Sequence, residues 1–199
     1  MDINDLQQLR RLWQGVYPYL VAQIMESYQM NYGPVLELGP FSGGISLELA
    51  RLYPKFKITI ADESPDVVAY LEKEIPASAP SLNIEIKKME LNRLAFDNSQ
   101  FDIVVFRGAF FFLGKKENLL REIFRVLRDG GMGFIGGGYG KGAPQEMIDE
   151  IADESRELNK RLGRRWVSIE ELTGIVRRSQ LTGNCRIVEE GGVWLIIKK

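Results

Sequence analysis

A turn poor in bulky side chains and two single carboxylates, each at the end of an apolar run, are the places where this chain can hold a ligand. Val35-Leu36-Glu37-Leu38 leads into Gly39-Pro40-Phe41-Ser42-Gly43-Gly44, which reads as a buried strand, a glycine-bearing turn and a helix start. Backbone approaches a ligand closely where side chains are missing, and an open α/β sheet binds nucleotides in such a setting. A GxGxxG frame laid on Gly39 and Gly44 puts Phe41 at the middle glycine. In a dinucleotide site that glycine makes room for the pyrophosphate, so a phenyl ring argues against NAD or FAD. Asp62 follows the second apolar run, where a carboxylate can take hydrogen bonds from ribose 2′- and 3′-hydroxyls. Glu90 follows the third, in Lys88-Met89-Glu90-Leu91, where a carboxylate can accept from an adenine amino group. Taken singly, each has a bland alternative: an ordinary turn, a helix-start acid, a loop acid. Their order at the ends of successive strands strengthens all three.

Other chemistry is excluded by what the chain lacks. There is no histidine, so Ser-His-Asp and Cys-His nucleophiles, an imidazole base and the zinc-hydrolase ligand sets are all ruled out. Cys185 is the single cysteine, which excludes an intramolecular disulfide and a cysteine-based zinc cluster, and it reads as a small buried hydrophobe. No metal site is expected. Tyr139, in the loop after the fifth strand, is a candidate for acid–base work in an acceptor pocket, with packing on the sheet edge as its alternative. Gly140-Lys141-Gly142 fails as a Walker motif, which needs Gly at Ile135 and Ser or Thr at Gly142. Lys160, Arg161, Arg164 and Arg165 read as one solvated helix face, and Phe110-Phe111-Phe112 as core or an apolar pocket wall.

These residues need a sheet to position them. Apolar periodicity alternates between strand-like and helix-like along the 199 residues, which predicts one α/β domain. Pro34 to Leu38 and FDIVVF (Phe101 to Phe106) are nearly continuous apolar runs and belong at the centre of the sheet. Phe56-Ile58-Ile60 and Leu82-Ile84-Ile86 alternate with polar residues and belong nearer an edge. Helix signals lie between: Ile45, Leu49 and Leu52 on one face; Ser64-Pro65 as a cap and first turn; Leu119, Ile123, Val126 and Leu127 as a stripe ended by Asp129-Gly130-Gly131; and Ser168-Ile169-Glu170-Glu171 as a capping box. Met132 to Ile135 reads as the fifth strand, and Cys185 to Glu189 and Val193 to Ile197 as a closing hairpin. Residues 1–33 read as an N-terminal helical segment around Trp13, Tyr17 and Tyr19, 34–140 as the ligand-binding core, 143–166 as a helical insertion placed to act as a lid, and 167–199 as the final helix and hairpin. With 26 basic and 27 acidic residues the formal charge is −1, which disfavours nucleic acid as a partner. No apolar run reaches membrane-span length and the N-terminus lacks a signal-peptide core, so a cytoplasmic chain is expected.

The combination resembles the class I S-adenosylmethionine-dependent methyltransferases, in particular the small single-domain members of the type 11 kind. ELGPFSGG is similar to their E/D-x-G-x-G-x-G segment, ADESP to their VDISP-type segment, LAFDNSQFDIVVFRGA to the stretch around their fourth strand, and REIFRVLRDGG to the helix and turn that follow. The resemblance runs from about Val35 to Gly140. It implies a Rossmann-like, doubly wound, seven-stranded α/β sheet, mostly parallel with one antiparallel strand near the C-terminus. It also implies S-adenosylmethionine as cofactor, held by Glu37, Gly39, Pro40, Gly43, Asp62, Glu63, Glu90, Leu91 and Arg107, and methyl transfer to a small-molecule acceptor. The chain departs from the family at Phe41, at Glu63 where an apolar residue usually packs on the adenine, at Glu90 where Asp is common, and in having Phe110 to Phe112 where many members carry histidines. Those departures keep a non-catalytic binding module in play. A nucleotide-dependent oxidoreductase is disfavoured by Phe41.

Overall fold

A computed structural model of the chain describes residues 3–39, 43–79, 81–108, 116–165 and 167–199. Its elements, in chain order, are α1 (Ile3–Trp13), α2 (Tyr17–Ser27), β1 (Tyr32–Leu38), α3 (Gly44–Leu52), β2 (Lys55–Asp62), α4 (Pro65–Ser78), β3 (Ile84–Lys88), β4 (Phe101–Arg107), α5 (Lys116–Val126), β5 (Leu127–Gly138), α6 (Gln145–Arg161), α7 (Ile169–Arg178), β6 (Cys185–Val188) and β7 (Gly192–Lys198). The seven strands form one sheet in the order β3-β2-β1-β4-β5-β7-β6. Pairing is parallel from β3 to β5, and β7 runs antiparallel to both β5 and β6. The strand with Ile84 and Ile86 is therefore at an edge and those with Val35 and Val104 are central, as their apolar patterns predict.

Successive side chains on a strand face opposite ways, which divides the core into two layers. Val35, Ile58, Ile60, Ile103, Val105 and Phe134 pack with helices α1 to α4 on one face. Leu36, Leu38, Val104, Phe106 and Ile135 pack with α5 and α7 on the other. By parity, Glu37 and Arg107 share the first face. The order of the chain reverses between β1 and β4, so the crevice beyond their carboxyl ends is the topological switch point at which sheets of this kind take ligands.

Local signals account for several boundaries. The Ser64 hydroxyl accepts from Val67 N at 3.4 Å at the start of α4, and Ser168 accepts from Glu171 N at 3.1 Å at the start of α7. Two features differ from the sequence expectation. The N-terminal segment is two helices, with Pro18 in the first turn of α2. The helix carrying Leu119 and Ile123 ends at Val126, because Leu127 pairs with Phe101 as part of β5. Residues 128–131 then bulge out before Met132 pairs with Ile103.

Candidate functional site

Glu37 is the last polar residue of β1 and is 3% exposed. Its Oε2 accepts from Ser46 N at 2.8 Å, so the carboxylate caps the first turn of α3 and ties that helix to the strand. Burial pushes its pKa up to about 7, against the lowering effects of the Ser46 hydrogen bonding and the Arg107 charge. Between them lies the turn. Gly39 has φ +87° and a Cβ there would stand 2.2 Å from the Phe106 ring; Gly43 has φ +64° and a Cβ would stand 2.7 Å from Ile60 Cδ1. Both positions demand glycine, and both keep backbone bare beside the crevice. Pro40, Phe41 and Ser42 lie outside the described residues, as do Phe110, Phe111 and Phe112.

Asp62 closes β2 and is 4% exposed. One carboxylate oxygen accepts from Ser64 N at 2.8 Å, while the other, Oδ2, is buried with no hydrogen-bond partner among the described residues. Burial, with the neighbouring Glu63 charge, raises its pKa. A buried acceptor without a donor costs about 1–3 kcal/mol, a cost that ribose hydroxyls would remove. On the next strand, Met89 N donates to Asp62 O at 3.0 Å, which brings the end of β3 alongside. Here Glu63 is turned to a use that local sequence does not suggest: its Oε1 accepts from Leu91 N at 2.7 Å. Glu90 is exposed. Asp62, Glu63 and Leu91 thus form one group at the β2–β3 end, and Glu37, Gly39, Gly43 and Arg107 form another about the switch point.

Arg107 ends β4, 4% exposed, with its guanidinium 3.8 Å from the centre of the Trp13 ring and Nη2 donating to Gly138 O at 3.3 Å. Burial lowers its pKa to about 10. Trp13 also meets Tyr139, ring centres 5.2 Å apart, so the N-terminal helices close over the ends of β4 and β5. The Tyr139 loop is held from behind by Gln23, a residue the motif pattern passed over. Its Nε2 donates to Glu190 O at 2.9 Å and its Oε1 accepts from Lys141 N at 3.0 Å. The signal for it is a single amide on an apolar helix face, between Leu20, Val21 and Ile24.

The basic cluster near residue 160 does not form one helix face. Arg161 pairs with Asp5 at 2.8 Å and Arg165 with Glu171 at 2.7 Å. Arg164 lies beyond the end of α6 and is exposed as a residue, though desolvation of its guanidinium lowers its pKa; Arg107 and Tyr139 lie within electrostatic range. Cys185 is half-buried, and burial pushes its thiol up to about 11, which makes it a poor nucleophile. Among the described residues no group of three or more acidic or cysteine side chains is placed to hold a metal ion.

A family model described as "Methyltransferase domain" matches residues 35–131. Malonyl-[acyl-carrier protein] O-methyltransferase of Priestia megaterium is 21% identical over 80% of this chain and 58% of its own length. Carboxy-S-adenosyl-L-methionine synthase of Hamiltonella defensa is 30% identical over 57% of this chain and 46% of its own. The chain therefore spans about half the length of the curated relatives it matches. Among solved structures, a Methanococcus maripaludis protein assigned to the S-adenosyl-L-methionine-dependent methyltransferases superposes with a TM-score of 0.83 at 25% identity, over 98% of this chain and 90% of that one.

Proposed function

The chain belongs to the class I S-adenosylmethionine-dependent methyltransferases, and from that premise we propose that it transfers the cofactor's methyl group to a small-molecule acceptor held where β4 and β5 end. The observation that carries this reading is the buried Oδ2 of Asp62 at the carboxyl end of β2, unpartnered among the described residues and an acceptor suited to a ribose hydroxyl. In this reading Gly39, Pro40 and Gly43 bring backbone up to the ligand, Glu37 holds α3 in register, and Leu91 N with Glu90 lies on the base side. Glu63 must release Leu91 N for a base to use it. When bound, the cofactor supplies a methyl group already activated on a positively charged sulfur.

The protein's part is then mainly to orient the acceptor and exclude water, which accounts for a large share of the acceleration in such transfers. With no histidine in the chain, any proton removal falls to Tyr139 or to a carboxylate. Residues 1–33 and 143–166 act as the cap that selects the acceptor. The near-zero net charge supports a small molecule over nucleic acid, and a cytoplasmic location is part of the same reading. No described helix is long and apolar enough to cross a membrane.

Titration calorimetry with S-adenosylhomocysteine tests the proposal. Binding by the wild type is expected, and its absence at millimolar ligand would remove the reading. The rival, a non-catalytic module on the same fold, draws on one observation, the Glu63 carboxylate already seated on Leu91 N. Should Glu63→Leu bind S-adenosylhomocysteine about tenfold or more tightly than wild type, the natural site is obstructed and the rival gains.

A further inference from the structure

The β6–β7 hairpin is covered unequally on its two faces. On one, Ile187, Leu195 and Ile197 share a buried cluster with Leu172, Ile175 and Val176 of α7. On the other, α2 ends at Ser27 and leaves a groove of about 420 Å³ between itself and the hairpin, a volume in the range of small-molecule sites. Phe134, Val188 and Ile196 give this groove its apolar lining. Ile196 stands opposite Phe134 on β5 and opposite Arg186 on β6, so these three side chains form a row across one face of the sheet. Lys198, two residues further along β7, takes the same face as a diagonal neighbour of Arg186, and both cations line the groove.

The charges around this floor are unevenly matched. Among the described residues lining it, Lys141 takes both acids, Glu26 at 2.9 Å and Glu190 at 3.6 Å. Lys198 donates to Ser27 O at 3.1 Å, a neutral carbonyl at the end of α2. Arg186 makes no hydrogen bond or ion pair among the described residues. Like charges on neighbouring positions of a sheet face repel, and burial together with the Arg186 charge lowers the Lys198 pKa. An anion between the two cations would relieve that repulsion. The fork of a guanidinium and a nearby ammonium suit a carboxylate, and the apolar floor beside them suits a hydrocarbon body. Both cations are exposed, so a ligand reaches them without rearrangement of the fold.

We propose that this groove is a second ligand site, taking a small organic anion with its carboxylate on Arg186 and Lys198 and its apolar body over Phe134, Val188 and Ile196. None of the described residues lining it belongs to the group about Glu37, Asp62 and Arg107 proposed for the cofactor, so the site stands whether or not methyl transfer is the reaction. Gln23, Lys141 and Glu190, which tie down the Tyr139 loop, also line it.

Titration calorimetry with hexanoate tests the site, beside acetate, which keeps the charge without the body, and hexan-1-ol, which keeps the body without the charge. Hexanoate is expected to bind, and the other two at least about tenfold more weakly. Arg186→Gln is expected to weaken hexanoate about tenfold, the loss of a charge-assisted contact. Arg177→Gln, exposed on α7, removes the same charge elsewhere and should leave hexanoate binding as in wild type. No hexanoate binding by wild type, or acetate or hexan-1-ol binding as tightly as hexanoate, would overturn the proposal. So would an Arg186→Gln protein that binds hexanoate like wild type, which would place the ligand elsewhere, or equal losses in the two variants, which would show a general effect of net charge.

Discussion

Asp62 and Glu37 are both buried carboxylates at strand ends, yet their partners give them different work. Asp62 leaves one oxygen unmatched among the described residues, the acceptor that the proposed cofactor's ribose would use. Asp62→Ala is expected to weaken S-adenosylhomocysteine at least about tenfold, the loss of one or two charge-assisted hydrogen bonds. Asp66→Ala, in the first turn of α4, is the control, and equal losses in calorimetry would show a helix effect mistaken for recognition. Glu37 is matched to Ser46 N, and its consequence is a pH dependence of folding. Its pKa of about 7 lies above its ordinary value, so the folded state holds a proton that the unfolded chain has released. That contribution is complete at acid pH and is lost as pH rises through about 7, by about 3 kcal/mol in all. Glu37→Gln keeps an oxygen for Ser46 N and cannot ionise. Urea unfolding from pH 4.5 to 8 should therefore show the variant gaining stability relative to wild type as pH rises; parallel curves would refute the assignment.

At the scale of elements, the site depends on how loops are tied to helices. Gln23 joins α2 to the start of the α6 segment through Lys141 N, and to the β6–β7 hairpin through Glu190 O. Lys141 reinforces the tie with ion pairs to Glu26 at 2.9 Å and Glu190 at 3.6 Å, though exposed pairs of this kind contribute little. Gln23→Leu leaves two backbone groups without partners and is expected to cost about 1–3 kcal/mol by urea unfolding. Gln7→Leu, exposed on α1, should stay within about 0.5 kcal/mol. Equal effects would mean that the tie does not hold the loop. Ser64→Ala removes the cap of α4 and should cost about 1 kcal/mol, with a coincident loss in thermal stability.

Across the whole molecule, stability is unevenly placed. The central strands β1, β4 and β5 are covered on both faces by the two core layers, whereas α6 buries only Ser155 and Leu158 fully and ties its outer rim to α1 through exposed polar contacts. Local opening is easiest where few apolar contacts must break. Hydrogen exchange should accordingly be slowest in β1 and β4 and faster by orders of magnitude in α6. If α6 exchanged as slowly as β4, it would be part of the rigid core and could not serve as a movable part of the proposed cap.

The central places of β1 and β4, the edge position of β3, the antiparallel β7 and the caps at Ser64 and Ser168 were legible from the chain alone, because each rests on a pattern only a few residues long. The bare turn at Gly39 and the carboxylate of Asp62 at the end of β2 were legible for the same reason, and their use by a cofactor is part of the proposal. What became of the remaining polar groups was decided by contacts between distant segments. Glu63 reaches Leu91 across 28 residues, a partner that no local pattern names. Arg107 became a buried cation because Trp13, from the other end of the domain, lies under it. Arg164 stands apart from the helical Lys160 and Arg161, within electrostatic range of Arg107, because α6 ends before it. A side chain's type sets which bonds it can make, and periodicity sets which face it takes. Only the packed fold sets which partner stands there, since the partners of buried charges are chosen by the cost of leaving them without one.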